Sequence, residues 1–210
     1  MAQALQADLH LPENLHSAVP KRQALYLAGR YCAREALKQA GLNPPPEVGT
    51  GPVGEPIWPP GWVGSISHSL THVSAAVAPL AACRGIGLDN ETPMSEKTLK
   101  AVKDKISTAN ERIRQPDSLA EIDYYTLLFS AKESLYKALY PTVQKFFDFQ
   151  AAELQQTAPD QFEITLLETL HPELPSDQYF RVYFRFAAAQ IFTAVLWQTA
   201  PPHKRNLIET

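Results

Sequence analysis

The chain has 210 residues, long enough for one or two compact domains with a sizeable core. Its 45% hydrophobic and 20% charged content is that of an ordinary soluble globular protein. A formal charge of −3 argues against broad nucleic-acid binding, and Cys32 and Cys83 make neither a metal-site spacing nor a disulfide framework.

Residues 1–20 carry no clear period and read as a loosely held lead-in. Between Lys21 and Ala40, Leu25, Ala28, Cys32, Ala36 and Leu37 recur at helical spacing, and Gly41 supplies a stop. Arg22, Arg30 and Arg34 are eight and four apart, so they fall close to one side of this helix. That side is either a solvated basic face or a phosphate clamp, for which the planar guanidinium fork is well suited. Residues 43–61 form a proline- and glycine-rich loop with Trp58 as its large apolar anchor.

Residues 62–69 and 71–78 read as two short strands around a turn at Ser69-Leu70. The first contains Gly64-Ser65-Ile66-Ser67-His68-Ser69, whose small residues admit a ligand or backbone closely and whose histidine can donate to a phosphate or carboxylate. Ser67 and His68 are neighbours on a strand and point to opposite faces, so they do not form a nucleophile–base pair. His68 and His72 straddle the turn with no third His or Cys nearby, which argues against zinc. The apolar run at 73–83 is short and broken by Pro79, so no membrane span or secretory signal follows, and the chain reads as cytoplasmic.

Residues 84–91 read as a strand on which Asp89 and Glu91 face the same way, about 6–7 Å apart. They are either exposed strand-end acids or a pair leaning on one cation. Asn90 faces the other side and needs a polar partner there if buried. Residues 95–114 are a charged amphipathic helical stretch with Ser95 as N-cap. Residues 119–139 form a long helix that Pro141 is expected to close. Glu133 and Lys137 share a face of it, with about 6 Å of rise between them. A surface ion pair is the plain reading of those two. With the Asp89 and Glu91 pair, however, Glu133 makes the carboxylate set a hard cation needs when it holds phosphates. Residues 146–154, 162–167, 179–186 and 191–197 read as strands, and the chain from Ala200 onward as an exposed tail.

Several segments, in a fixed order, resemble the 4′-phosphopantetheinyl transferases of the larger surfactin- and enterobactin-synthetase type. They are Lys21-Arg22 through Ala28-Gly29-Arg30, Gly54-Glu55-Pro56-Ile57-Trp58-Pro59, the Gly64 to Ser69 segment, Gly87-Leu88-Asp89-Asn90-Glu91, and Phe129-Ser130-Ala131-Lys132-Glu133-Ser134 through Lys137. With Phe147-Asp148-Phe149, they extend across most of residues 21–155.

The resemblance implies an α+β fold of two similar halves, residues 1–83 and 84–210, related by a pseudo-twofold with a ligand cleft between them. It implies an enzyme that passes the phosphopantetheine arm of coenzyme A to a serine of an apo acyl or peptidyl carrier protein, with Mg²⁺, releasing adenosine 3′,5′-bisphosphate. By the same resemblance Asp89, Glu91 and Glu133 serve the metal, and Glu133 and Lys137 are catalytic. Arg22, Arg30, Ser67, His68, Asp89 and Lys137 hold the coenzyme. The partners are then coenzyme A and the carrier, with no nucleic acid or membrane, and the protein is a monomer. The alternative is a catalytically poor coenzyme A-binding protein of the same fold.

Relatives carry more chain before the Lys-Arg segment and often a lysine shortly before Gly-Glu-Pro, where this chain has Gly49-Thr50-Gly51. The shorter lead-in is expected to leave the first half incomplete, at the expense of its stability and part of the nucleotide pocket, and the missing lysine to weaken coenzyme A affinity. Asn90 stands where an apolar residue is expected.

Overall fold

The computed structural model describes residues 9–69 and 71–199. The first eight residues, Leu70 in the expected turn, and the expected tail from Ala200 lie outside them. Within the lead-in, residues 9–19 carry a single 3-10 turn, Glu13–Leu15. They are less loose than expected, because the side-chain amide of Gln23 donates to the carbonyls of Leu15, His16 and Ala18, each at 3.0 Å.

Helix α1 spans Pro20–Gln39, with proline in the first turn where its missing N–H is harmless. It ends just before Gly41, whose φ of +98° only glycine adopts without strain. The loop that follows contains an unanticipated two-residue pairing of β1 (Gly49–Thr50) with β2 (Pro56–Ile57). Strands β3 (Trp62–His68) and β4 (Val73–Pro79) form an antiparallel hairpin. Ala33 and Leu37 of α1, Val48, Trp58, Trp62 and Ile66 make a small core between helix and hairpin.

A larger core lies beyond. Strand β5 (Cys83–Glu91) is one edge of an antiparallel five-stranded sheet. Its other strands are β6 (Ala152–Ala158), β7 (Gln161–Leu166), β8 (Tyr179–Ala187) and β9 (Gln190–Gln198), in the order β5-β9-β8-β7-β6. Alternation sends Phe162, Ile164 and Leu166 of β7 inward against Leu127, Leu128, Leu135 and Leu139 of the long helix α4 (Glu121–Val143). The two preceding helices are α2 (Glu96–Ile106), capped by Ser95, and α3 (Ala109–Ile113).

Three expectations need correction. The 95–114 stretch is two helices, because Thr108 and Glu111 form a capping box that starts α3 afresh. The strand expected from residue 146 begins only at Ala152, since Asp148 caps a 3-10 turn at Phe149–Ala151. Pro141 does not close α4: the helix runs to Val143 and stops at Gln144 in the left-handed region. A proline this near the C-terminus removes one ladder bond where few remain to be lost.

Close approach sets how α4 meets β5. A Cβ at Gly85 would collide with the carbonyl of Ala138, and one at Gly87 with the carbonyl of Ser134. Bare backbone at both positions lets the helix lie against the strand. Each half of the chain therefore sets a long helix on antiparallel strands, an α+β architecture, and β3 meets β5 along the seam. There the Leu88 N–H donates to Ser65 Oγ at 2.9 Å. Asn90, fully buried, finds the polar partners it needs in Ser74 Oγ and the His72 carbonyl, both at 3.4 Å.

Candidate active site at the seam

Asp89 and Glu91 project from the face of β5 that α4 covers, and α4 brings Glu133 and Lys137 to the same volume. Lys137 does not pair along its own helix with Glu133. Its Nζ crosses to Asp89 Oδ1 at 2.6 Å and donates to the Leu88 carbonyl at 3.0 Å and Ser67 Oγ at 3.3 Å. Ser67 donates to the same carboxylate oxygen at 3.0 Å. Ser130 Oγ donates to Asp89 Oδ2 at 2.9 Å, so both oxygens of this buried acid are fixed. The side chains of Ser130, Thr193 and Ser134 continue the chain of hydroxyls toward β9.

The other two acids feel this crowding. Burial pushes the Glu91 carboxyl up to about 7 from 4.5; Asp89 and Glu133 push the same way and Lys137 opposes. Glu133 is raised chiefly by burial, with Lys137 opposing and Asp89 adding to the rise. Desolvation disfavours the charged form, and like charges at short range reinforce it. Among the described residues, no three His, Cys, Asp or Glu are gathered tightly enough to hold a metal by themselves. Asp89, Glu91 and Glu133 are an all-oxygen donor set whose mutual repulsion a hard cation relieves. Mg²⁺ typically takes only one or two carboxylates and completes its shell with phosphate oxygens and water. The donor chemistry fits that ion.

On the α1 side of β3, a cleft of about 350 Å³ is lined by Lys21, Arg22, Tyr26, Arg30 and His68, with Gly54 of the Gly-Glu-Pro loop. Arg22 and His68 are exposed there. Arg30 is 8% exposed and does more than face a ligand. Its Nη2 donates to the Gly49 carbonyl at 3.0 Å and Thr50 Oγ1 at 2.8 Å, and its guanidinium lies 4.8 Å from the Tyr26 ring centroid. Its buried Nε has no protein partner, which suits an acceptor supplied by a ligand. Arg34, on the same side of α1, lines a separate cavity of about 110 Å³ with His10 and Glu47.

On the other flank of Glu133 an apolar cavity of about 170 Å³ is lined by Tyr136, Phe146, Phe147 and Phe149. The structure thus joins Ser67, Asp89 and Lys137 by hydrogen bonds, with Glu91 and Glu133 near enough to feel Asp89 and Lys137, and places Arg22, Arg30 and His68 in the cleft on the α1 side. Sequence reasoning missed Ser130, which orients Asp89, and the buried Lys132–Glu111 pair. Thr108-x-x-Glu111 was a legible capping-box signal for the second of these.

A charged seam, a cleft lined by cationic side chains and an apolar cavity together suit an enzyme that handles a phosphate-bearing substrate. Comparison with known proteins makes the class specific. A family described as "4'-phosphopantetheinyl transferase N-terminal domain" matches residues 11–78, and the "4'-phosphopantetheinyl transferase superfamily" matches residues 85–193. The chain is 37% identical over 171 residues to 4'-phosphopantetheinyl transferase Npt of Nocardia iowensis, covering 80% of this chain and 73% of that protein. It is 36% identical over 148 residues to PptT of Mycobacterium tuberculosis, covering 69% and 64%, and 33% identical over 195 residues to enterobactin synthase component D of Salmonella typhimurium, covering 92% and 80%. The chain belongs to the 4′-phosphopantetheinyl transferase superfamily.

Proposed function

We propose that this protein transfers the 4′-phosphopantetheine arm of coenzyme A to a serine of an apo acyl or peptidyl carrier protein, with Mg²⁺, releasing adenosine 3′,5′-bisphosphate. The observation that carries the reading is the convergence of Asp89, Glu91, Glu133 and Lys137 at the seam. On this reading the ligand lies between the two halves, divided near residue 84 and related by a pseudo-twofold. The protein acts as a cytoplasmic monomer. Among the described residues no helix is long and apolar enough to cross a membrane.

The roles follow from the chemistry. Arg22, Arg30 and His68 hold the nucleotide's phosphates in the cleft. The apolar cavity beside Glu133 receives the carbon-rich arm. Glu133, whose pKa burial raises, accepts the proton as the carrier serine Oγ attacks the phosphorus bearing the arm. The bond from that phosphorus to the oxygen of the adenosine-side phosphate breaks, and Lys137 neutralises the charge left on the departing oxygen. Asp89, Glu91 and Glu133 would hold Mg²⁺, which when bound neutralises diphosphate charge.

The test is a mass gain on apo carrier proteins incubated with the chain, coenzyme A and Mg²⁺. Glu133→Gln is expected to retain coenzyme A binding by isothermal titration and to lose transfer by about 10²–10⁴-fold, the usual worth of a general base. Near-normal turnover in that variant removes Glu133 from its role. Coenzyme A binding without modification of any carrier marks the chain as a binding protein instead.

A further inference from the structure

We infer that Lys132 and Glu111 act as a positioning pair that sets the width of the apolar cavity beside Glu133, and so the fit of the pantetheine arm. The inference rests on the transferase reading, which gives that cavity its occupant.

Lys132 precedes Glu133 on α4 but points into the protein, with its side chain 3% exposed. Its Nζ donates to Glu111 Oε2 at 2.8 Å, to the Ile106 carbonyl at 3.0 Å and to the Phe149 carbonyl at 2.8 Å. An ammonium has three N–H donors, and all three are used. Glu111 is fully buried and equally engaged. Its Oε1 accepts from the Leu154 N–H at 2.6 Å, and its Oε2 from the Thr108 N–H at 2.7 Å. Burial lowers the lysine's pKa while Glu111 opposes that shift.

Two residues thereby join one turn of α4 to the end of α2, the start of α3, the 3-10 turn and β6. The cavity borders that junction, and Lys132 is itself among its lining residues. Phe149, whose carbonyl Lys132 holds, lines one wall with Phe147 and Ala152, while Glu133 and Tyr136 line the other. The Phe129 and Phe149 rings stack at 5.5 Å, and Tyr136 packs on Phe147 at 5.0 Å, so the walls are rigid aromatic surfaces. Releasing the lysine frees the Phe147–Phe149 wall to move relative to Glu133. Neither Lys132 nor Glu111 lines the nucleotide cleft. The pair therefore governs the arm end of the ligand and leaves the nucleotide end alone.

The experiment titrates coenzyme A and, separately, adenosine 3′,5′-bisphosphate, both with Mg²⁺, into the full chain and into Lys132→Met and Glu111→Gln. Glu111→Gln keeps shape and volume and decides the question if Lys132→Met does not fold. The expected result is about a tenfold loss of coenzyme A affinity, of the order of one lost contact, with bisphosphate affinity unchanged. A proportional loss for both ligands, as general destabilisation produces, or no loss for either, overturns the positioning role. If the unaltered chain binds no coenzyme A, it is the transferase reading that fails.

Discussion

Glu91 shows how strongly the surroundings of a single side chain decide its chemistry. Burial, with Asp89 and Glu133 adding to it and Lys137 opposing, pushes its carboxyl up to about 7 from an ordinary value of 4.5. Between those values the folded state holds a proton that the unfolded state has released. The contribution is present below the ordinary value and is lost as pH rises through about 7. On the proposed reading, Mg²⁺ competes with that proton. Thermal shifts caused by Mg²⁺ with coenzyme A are therefore expected to be larger at about pH 8 than at about pH 6. Equal shifts at both would take Glu91 out of the metal set. The strand alternation that put Asp89 and Glu91 on one face was legible in the sequence. That Lys137 would cross to Asp89 rather than pair with Glu133 was not, because it depends on how closely helix and strand pack.

At the scale of elements, the contact between α4 and β5 carries the site. Gly87→Ala places a methyl against the Ser134 carbonyl, which is backbone and cannot swing aside. The variant is expected to lose about 3 kcal/mol, the upper range for overpacking, read as a fall in the urea midpoint. An unchanged midpoint would show that the helix can retreat freely. Lys132→Met is expected to cost about 3–5 kcal/mol, because it strands the buried Glu111 carboxylate. Helical periodicity and turn chemistry gave most of these elements correctly. The errors at residues 107–108, 146–151 and 141 arose where a polar cap or a nearby helix end outweighed the apolar pattern. The β1–β2 pairing was too short to leave a pattern.

Across the whole molecule, the two cores meet through polar contacts: Ser65 with Leu88, Ser67 with Asp89, and Gln190 with Ser69 and Thr71. A ligand bridging that seam stabilises both halves together. At a hundredfold excess over its Kd, coenzyme A with Mg²⁺ is expected to add about 2.7 kcal/mol. For a chain of this size that corresponds to roughly 5–10 °C in Tm, read by scanning calorimetry as one cooperative transition. Two separate transitions, only one of them shifted, would mean that the ligand touches a single half. The family resemblance in the sequence named the residues of the candidate site, while the burial of Arg30 and its grip on the Gly49-Thr50 backbone emerged only from the fold.

The short link from Lys137 to Asp89 has a kinetic consequence. On the proposed reading, this ammonium answers the aspartate's charge until the diphosphate of coenzyme A draws it away. Divalent ions added alone thus meet a carboxylate that is already spoken for. Loading is expected to be ordered, with the nucleotide arriving first or together with its ion.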